Sequence, residues 1–150
     1  LKFRFISYGF KYYEAVGEKA PVHDFLFNLR DLDNPFWIEE LRPLHGLEEG
    51  IIDFFNKNPD IQQRVSKIED LIKDFIEDAL KNSSRSDVED ITFAFRCTGG
   101  KHRSVYFAQS IFTNIQNTFK DRELSLETGK KIDFEVEHID LPRYQGIKSI

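Results

Sequence analysis

Residues 91–139 read as strand, helix and strand again, and this order restricts the fold more than any other feature of the chain. ITFAF at 91–95 sets Ile91, Phe93 and Phe95 on one side and the small Thr92 and Ala94 on the other. That two-residue period is the signature of a strand. After Arg103, the apolar residues Val105, Ala108, Phe112, Ile115 and Phe119 recur at helical spacing. IDFEVEHI at 132–139 alternates once more, with Ile132, Phe134 and Val136 against charged neighbours. A helix between two strands predicts a right-handed crossover and parallel pairing.

The remainder of the chain fits the same plan. FRFISYGF at 3–10 predicts a first strand, and a loop with Gly17 and Pro21 follows over 11–23. FLFNLR at 25–30 predicts a second strand, leading into the turn-rich DLDNP at 31–35. Pro35 and Pro43 bracket a short helical turn over 36–42. A helix over 47–56 carries Leu47, Ile51, Ile52, Phe54 and Phe55. Asn58 then caps a longer helix with Pro59 at its first position. Its stripe runs Ile61, Val65, Ile68, Ile72, Phe75 and Ala79, widened by Leu71, Ile76 and Leu80. Polar connections are expected at 82–87 and 120–131. The expected fold is one α/β domain over residues 1–150. About four strands form a mostly parallel or mixed central sheet, with helices packed on it.

Composition narrows the function classes. At 150 residues one domain is expected. The single cysteine rules out an internal disulfide framework and a Cys-based zinc cluster. No metal site and no cofactor is expected, and the setting expected is a reducing cytoplasm. No apolar run has membrane-spanning length, so no membrane partner is expected. A chain that starts at Leu and has no Met is expected to be a piece of a longer one. The formal charge of −5 makes RNA a disfavoured partner unless a local basic patch exists.

Such a patch is present at CTGGKHRS, 97–104, between the clearest strand and the helix after it. Adjacent Gly99 and Gly100 let the main chain turn its N–H groups inward. The helix adds its unpaired N-terminal amides and the positive end of its dipole. Thr98 and Ser104 offer hydroxyls, and Lys101, His102 and Arg103 add basic groups, Arg with a planar fork suited to phosphate oxygens. The chemistry is that of a cradle for a phosphorylated ligand or inorganic anion. The spacing does not match a Walker loop, which needs four residues between its glycine and Gly-Lys-Ser/Thr. It does match C-x5-R-S, the phosphate loop of cysteine-dependent phosphatases. In that alternative Cys97 is the thiolate nucleophile, Arg103 clamps the phosphoryl oxygens and Ser104 assists the leaving thiolate. Asp31, Asp33 or Asp140 would then supply the proton, while Arg96 stands where such enzymes carry a histidine.

Five blocks in order resemble one known family. They are SYGFKY (7–12), FNLRDLDNPFW (27–37), ELRPLHGLEE (40–49), CTGGKHRSV (97–105) and HIDL (138–141). Together they resemble the C-terminal domain of the RapZ family, bacterial RNase adapter proteins. The resemblance implies a non-enzymatic domain that binds glucosamine-6-phosphate and controls presentation of small regulatory RNAs to an endoribonuclease. It also implies a nucleotide-binding domain with a Walker-type site, attached or separate, that these residues do not contain. Thr98, Gly99, Gly100, His102 and Arg103 match the family's ligand loop, and Arg30, Asn34, Arg42 and His138 match other polar positions of its blocks. In this reading Cys97 is a bystander. Asn28 replaces the family's usual Asp, removing a carboxylate that would suit an amino sugar, and Phe36 and His45 replace a polar residue and a Thr. After HIDL only Arg143 and Lys148 remain of a basic tail. An amino-sugar phosphate and a nucleotide are both retained as ligand classes.

Overall fold

The computed structural model describes residues 1–13, 19–82, 87–124 and 131–145. Four strands, β1 (Lys2–Gly9), β2 (Phe25–Asn28), β3 (Asp90–Cys97) and β4 (Asp133–His138), form one sheet. Their order is β2-β3-β1-β4, and every pair is parallel. Four α-helices accompany them: α1 (Glu49–Asn56), α2 (Pro59–Asn82), α3 (Arg103–Phe119) and the short α4 (Pro142–Gln145). The expected α/β architecture is therefore observed. The loop residue Gly17, residues 83–86 and 125–130 of the two polar connections, and Lys148 lie outside the described residues.

The chain's 15 phenylalanines have a structural use. Phe3, Phe5, Phe93 and Phe95 point to one face and are fully buried. Phe25 and Phe27 of β2 continue the row, with ring centroids 5.3 Å from Phe93 and Phe95 respectively. Phe3 meets Phe134 of β4 at 5.5 Å. This aromatic floor runs across all four strands and receives the helices. Ile61, Val65, Ile68, Ile72 and Ile76 of α2 are buried against the same cluster, as are Ile111, Ile115 and Phe119 of α3. Leu71, expected to widen the stripe of α2, is instead 51% exposed, on the far flank of that helix. The charged side of α2 is solvated, as its sequence implies.

Connection geometry fixes where a ligand would sit. The steps β2 to β3 and β3 to β4 both run toward the β4 edge, so right-handed crossovers put α1, α2 and α3 on one face. The step from β1 to β2 runs the other way and leaves over the opposite face. There Tyr13 packs with Ile6, Tyr8 and Ala94. β1 and β3 are neighbours whose exits diverge to opposite faces, and Gly9 at the end of β1 is in register with Cys97 at the end of β3. Such a divergence opens a crevice at the carboxyl edge of a parallel sheet.

Among the boundaries that differ from expectation, two bear on the site. The second strand ends at Asn28, not at residue 30, and Leu29 to Leu32 turn back with Leu32 N–H donating to Leu29 O at 3.2 Å. The cause is a buried guanidinium: Arg103 Nη1 donates to the carbonyls of Leu29 (3.3 Å), Arg30 (3.0 Å) and Leu32 (2.9 Å), so the turn wraps around it. The helical turn after Pro35 is one 3-10 turn, Pro35–Trp37, and not a segment reaching residue 42.

Candidate functional site

Loops from the carboxyl ends of β1, β2 and β3 meet around one cavity of about 640 Å³. The strand–glycine–helix loop is shaped by two main-chain contacts. Gly100 has φ +68°, a conformation that favours glycine, and a Cβ there would lie 2.6 Å from Gly9 N. A Cβ on Gly9 would lie 2.5 Å from the carbonyl carbon of Gly99. The end of β1 and the loop after β3 thus touch backbone to backbone.

Around this contact, a buried carboxylate fastens the neighbouring loops. Asp140 accepts hydrogen bonds from Gly9 N–H, Tyr13 Oη and Arg143 Nε, each at 2.8 Å. Burial and the adjacent Asp140 push the Tyr13 phenol up to about 12. Tyr144 of α4 donates its hydroxyl to Gly99 O at 2.6 Å, and Tyr12 donates in turn to Tyr144 at 2.5 Å. Burial first, then the Tyr12 bond, raises the Tyr144 phenol far above its ordinary range. Asp140 is therefore a fastener, with its oxygens committed. Of the other two carboxylates considered as proton donors, Asp31 pairs with both terminal nitrogens of Arg64 (2.6 and 3.1 Å), which holds it below the usual carboxylate range. Asp33 lines the cavity and accepts from Asn58 Nδ2 at 2.9 Å.

The electrostatics are those of an anion site. Lys11, Arg30, Lys101 and Arg103 line the cavity together with a single carboxylate, Asp33. Among the described residues, none of these four cations forms an ion pair. Burial, with Lys11 adding repulsion, lowers the pKa of Lys101, whose Nζ donates to Arg42 O at 2.8 Å. Arg103 is 4% exposed, and its Nε is buried without a partner among the described residues. The first α3 hydrogen bond is Tyr106 N–H to His102 O, so the amides of Arg103, Ser104 and Val105 come before any intrahelical acceptor. The helix dipole adds partial positive charge at this end.

The loop residues divide by role. Thr98, Gly99, Lys101, His102 and Arg103 line the cavity, joined by Arg30 and Asn34 from the 29–37 segment. Gly100 sets the turn behind them. Ser104 is fully buried and accepts from the Cys97 thiol at 3.2 Å. Arg42 sits at the rim, its Nε donating to Phe36 O at 2.7 Å and its guanidinium 4.9 Å from the Phe36 ring. His138 lies apart from the cavity, bonded to Ser7 Oγ (2.8 Å) and Gln109 Oε1 (3.0 Å). His102 is a correction to the charge count. Burial pushes it down to about 4, so at neutral pH the ring is uncharged. Its Nε2 lies 2.6 Å from Leu44 O and must carry the proton, leaving Nδ1 an acceptor.

Five lining residues were not among the sequence candidates: Lys11, Leu32, Phe36, Trp37 and Tyr144. Lys11 had a signal, since it directly follows the first strand at the same sheet edge. Tyr144 had a weaker one in Pro142, a good first residue for the helix that carries it.

A family model described as the RapZ C-terminal domain matches residues 1–132. A protein named nucleotide-binding protein from Petrotoga mobilis is 37% identical over 127 residues, 85% of this chain and 40% of that protein. One of the same name from Shewanella halifaxensis is 39% identical over 117 residues, 78% of this chain and 38% of its own length. A relative from Xanthomonas campestris pv. campestris strain B100, also named nucleotide-binding protein, is 45% identical over 100 residues, 67% of this chain and 33% of that protein. The chain therefore spans between 33% and 40% of the length of these relatives.

Proposed function

The chain belongs to the RapZ C-terminal domain family, and from that premise we propose that it is a non-enzymatic sensor module. It takes the phosphate of a small phosphorylated ligand in the 98–104 loop and passes ligand occupancy to an attached domain or separate partner. One observation carries this reading: four cations without carboxylate partners converge on one cavity at the start of α3, in a chain whose formal charge is −5. An anion held in the cavity would offset that charge. The name nucleotide-binding protein borne by the relatives agrees with a phosphorylated ligand but does not say which part of those longer chains holds it.

Hydrolysis has one contact in its favour, the Cys97 thiol on Ser104 Oγ within a C-x5-R-S turn. One feature weighs against it: Cys97, although among the cavity-lining residues, is only 2% exposed.

Titration with inorganic phosphate, followed through backbone amide NMR, tests the proposal. The amides of residues 99–104 shift in the millimolar range, and Arg30→Ala weakens the response about ten-fold, as expected for loss of one charge-assisted contact. Arg30 is an exposed side chain, so its removal leaves the fold intact. Unmoved amides would sink the binding reading. Release of phenolate from an aryl phosphate, abolished by Cys97→Ser, would replace sensing with hydrolysis.

A further inference from the structure

The cavity has a second half that phosphate does not explain. Its volume of about 640 Å³ falls in the size class of pockets for organic ligands. Beside the cations its lining carries an apolar group, Leu32, Phe36 and Trp37. Trp37 is 77% exposed and Phe36 44% exposed, an unusual outlay of aromatic surface to water. The two rings stand at 85° to each other with centroids 5.2 Å apart, forming an aromatic corner.

This corner is held in place. Asn34 Oδ1 accepts Phe36 N–H at 3.1 Å, Trp37 N–H reaches Asn34 O at 3.2 Å, and Ile38 N–H reaches Pro35 O at 2.9 Å. Arg42 clamps the far side through Phe36 O. The indole is thus presented by a pinned turn, and its exposure is built in. The polar complement of this half is small and largely committed. Asn34 Oδ1 serves its own turn, and Asp33 accepts from Asn58. A hexose with several hydroxyls would find few free partners here, while a flat ring needs a face and little more.

We infer that the ligand of this site is a nucleoside monophosphate, its phosphate on the 98–104 loop and its base stacked on Trp37. The inference rests on the phosphate reading and goes beyond it by naming the organic half. Stacking on an aromatic side chain tolerates any base, so the site selects a nucleotide without strong choice among bases.

Trp37 is the sole tryptophan of the chain, so its fluorescence reports the platform directly. The unmodified chain is titrated with AMP, ribose 5-phosphate, glucose 6-phosphate and inorganic phosphate, by indole fluorescence and by amide NMR. AMP is expected to quench Trp37 and to bind roughly ten-fold tighter than either sugar phosphate. In Trp37→Leu that preference collapses to near unity. Equal affinity for AMP and a sugar phosphate, or a preference that survives Trp37→Leu, overturns the base platform while amide shifts at 99–104 keep the phosphate site. Amides that stay still with every ligand overturn both.

Discussion

Arg103 joins the loops around the cavity through a single side chain. Nη1 holds the 29–32 turn by three carbonyls, and the buried Nε remains without a partner at the start of α3. Those contacts use one nitrogen of the guanidinium, and a lysine's lone ammonium would leave no second donor nitrogen beside them. Gly100 is equally specific in a different way. Its φ of +68° and the 2.6 Å approach of a would-be Cβ to Gly9 N both exclude a side chain. Gly100→Ala should therefore lower unfolding free energy by about 1–3 kcal/mol, the usual cost of a strained residue in the left-handed region. A urea midpoint unchanged from the parent chain would mean that the Gly9–Gly100 contact is not obligatory. Ser104 shows a limit of motif reading. Its hydroxyl looked like a ligand donor beside the cationic residues, yet it is fully buried under Cys97.

Helix α2 begins at the site it flanks. Asn58 Oδ1 accepts the amides of Asp60 (3.1 Å) and Ile61 (3.2 Å), while its Nδ2 donates to Asp33 on the cavity wall. Asn58→Ala should cost about 1 kcal/mol through the lost cap. Asn58→Asp should keep the cap but turn a donor toward Asp33 into a second carboxylate. Denaturant midpoints ordered parent, Asp, Ala would agree; Asp falling below Ala would show that the link to Asp33 matters more than the cap. The cap and first-position proline of α2 were readable from Asn58-Pro59, and β3, α2 and α3 from their apolar periods, because each is decided by local pattern. The end of β2 was not readable. Residues 25–30 have a strand pattern throughout, and what stops the strand is a guanidinium more than 70 residues away in sequence. The positions of the loop residues after β3 were foreseen because helix N-terminus chemistry is local. His138 matched a motif, but its bonds to Ser7 and Gln109 come from sheet register and helix packing. Trp37 was quoted within a block and assigned no role, since sequence cannot tell a core tryptophan from one held out at a cavity mouth.

The parallel sheet and its helices bury ionisable groups that titrate at opposite ends of the pH range, and this gives the molecule a bounded window of stability. His102, against Leu44 O with Lys101 and Arg103 nearby, is pushed by burial from 6.5 to about 4. His138, between Ser7 and Gln109 with His45 near, is pushed by burial to the same value. A histidine with a depressed native pKa binds its proton first in the unfolded chain. Its contribution is complete above 6.5 and is lost as pH falls toward 4. With both histidines titrating, unfolding free energy should fall by at most about 2.7 kcal/mol per pH unit around pH 5. Tyr13 sets the other side: its phenol, raised from 10.0 to about 12 by burial and Asp140, favours folding below 10 and loses that contribution as pH climbs through 12. Asp31, held low by Arg64, gives way only below the histidine range and so does not blur the acid limb. Denaturant unfolding measured from pH 8 to pH 4.5 should show the acid loss, and His138→Gln, which can still bond Ser7 and Gln109, should roughly halve its slope. A slope unaltered in that variant would assign the acid limb to carboxylates, and the sheet edge that holds His138 would then have to admit the charged imidazolium at little cost.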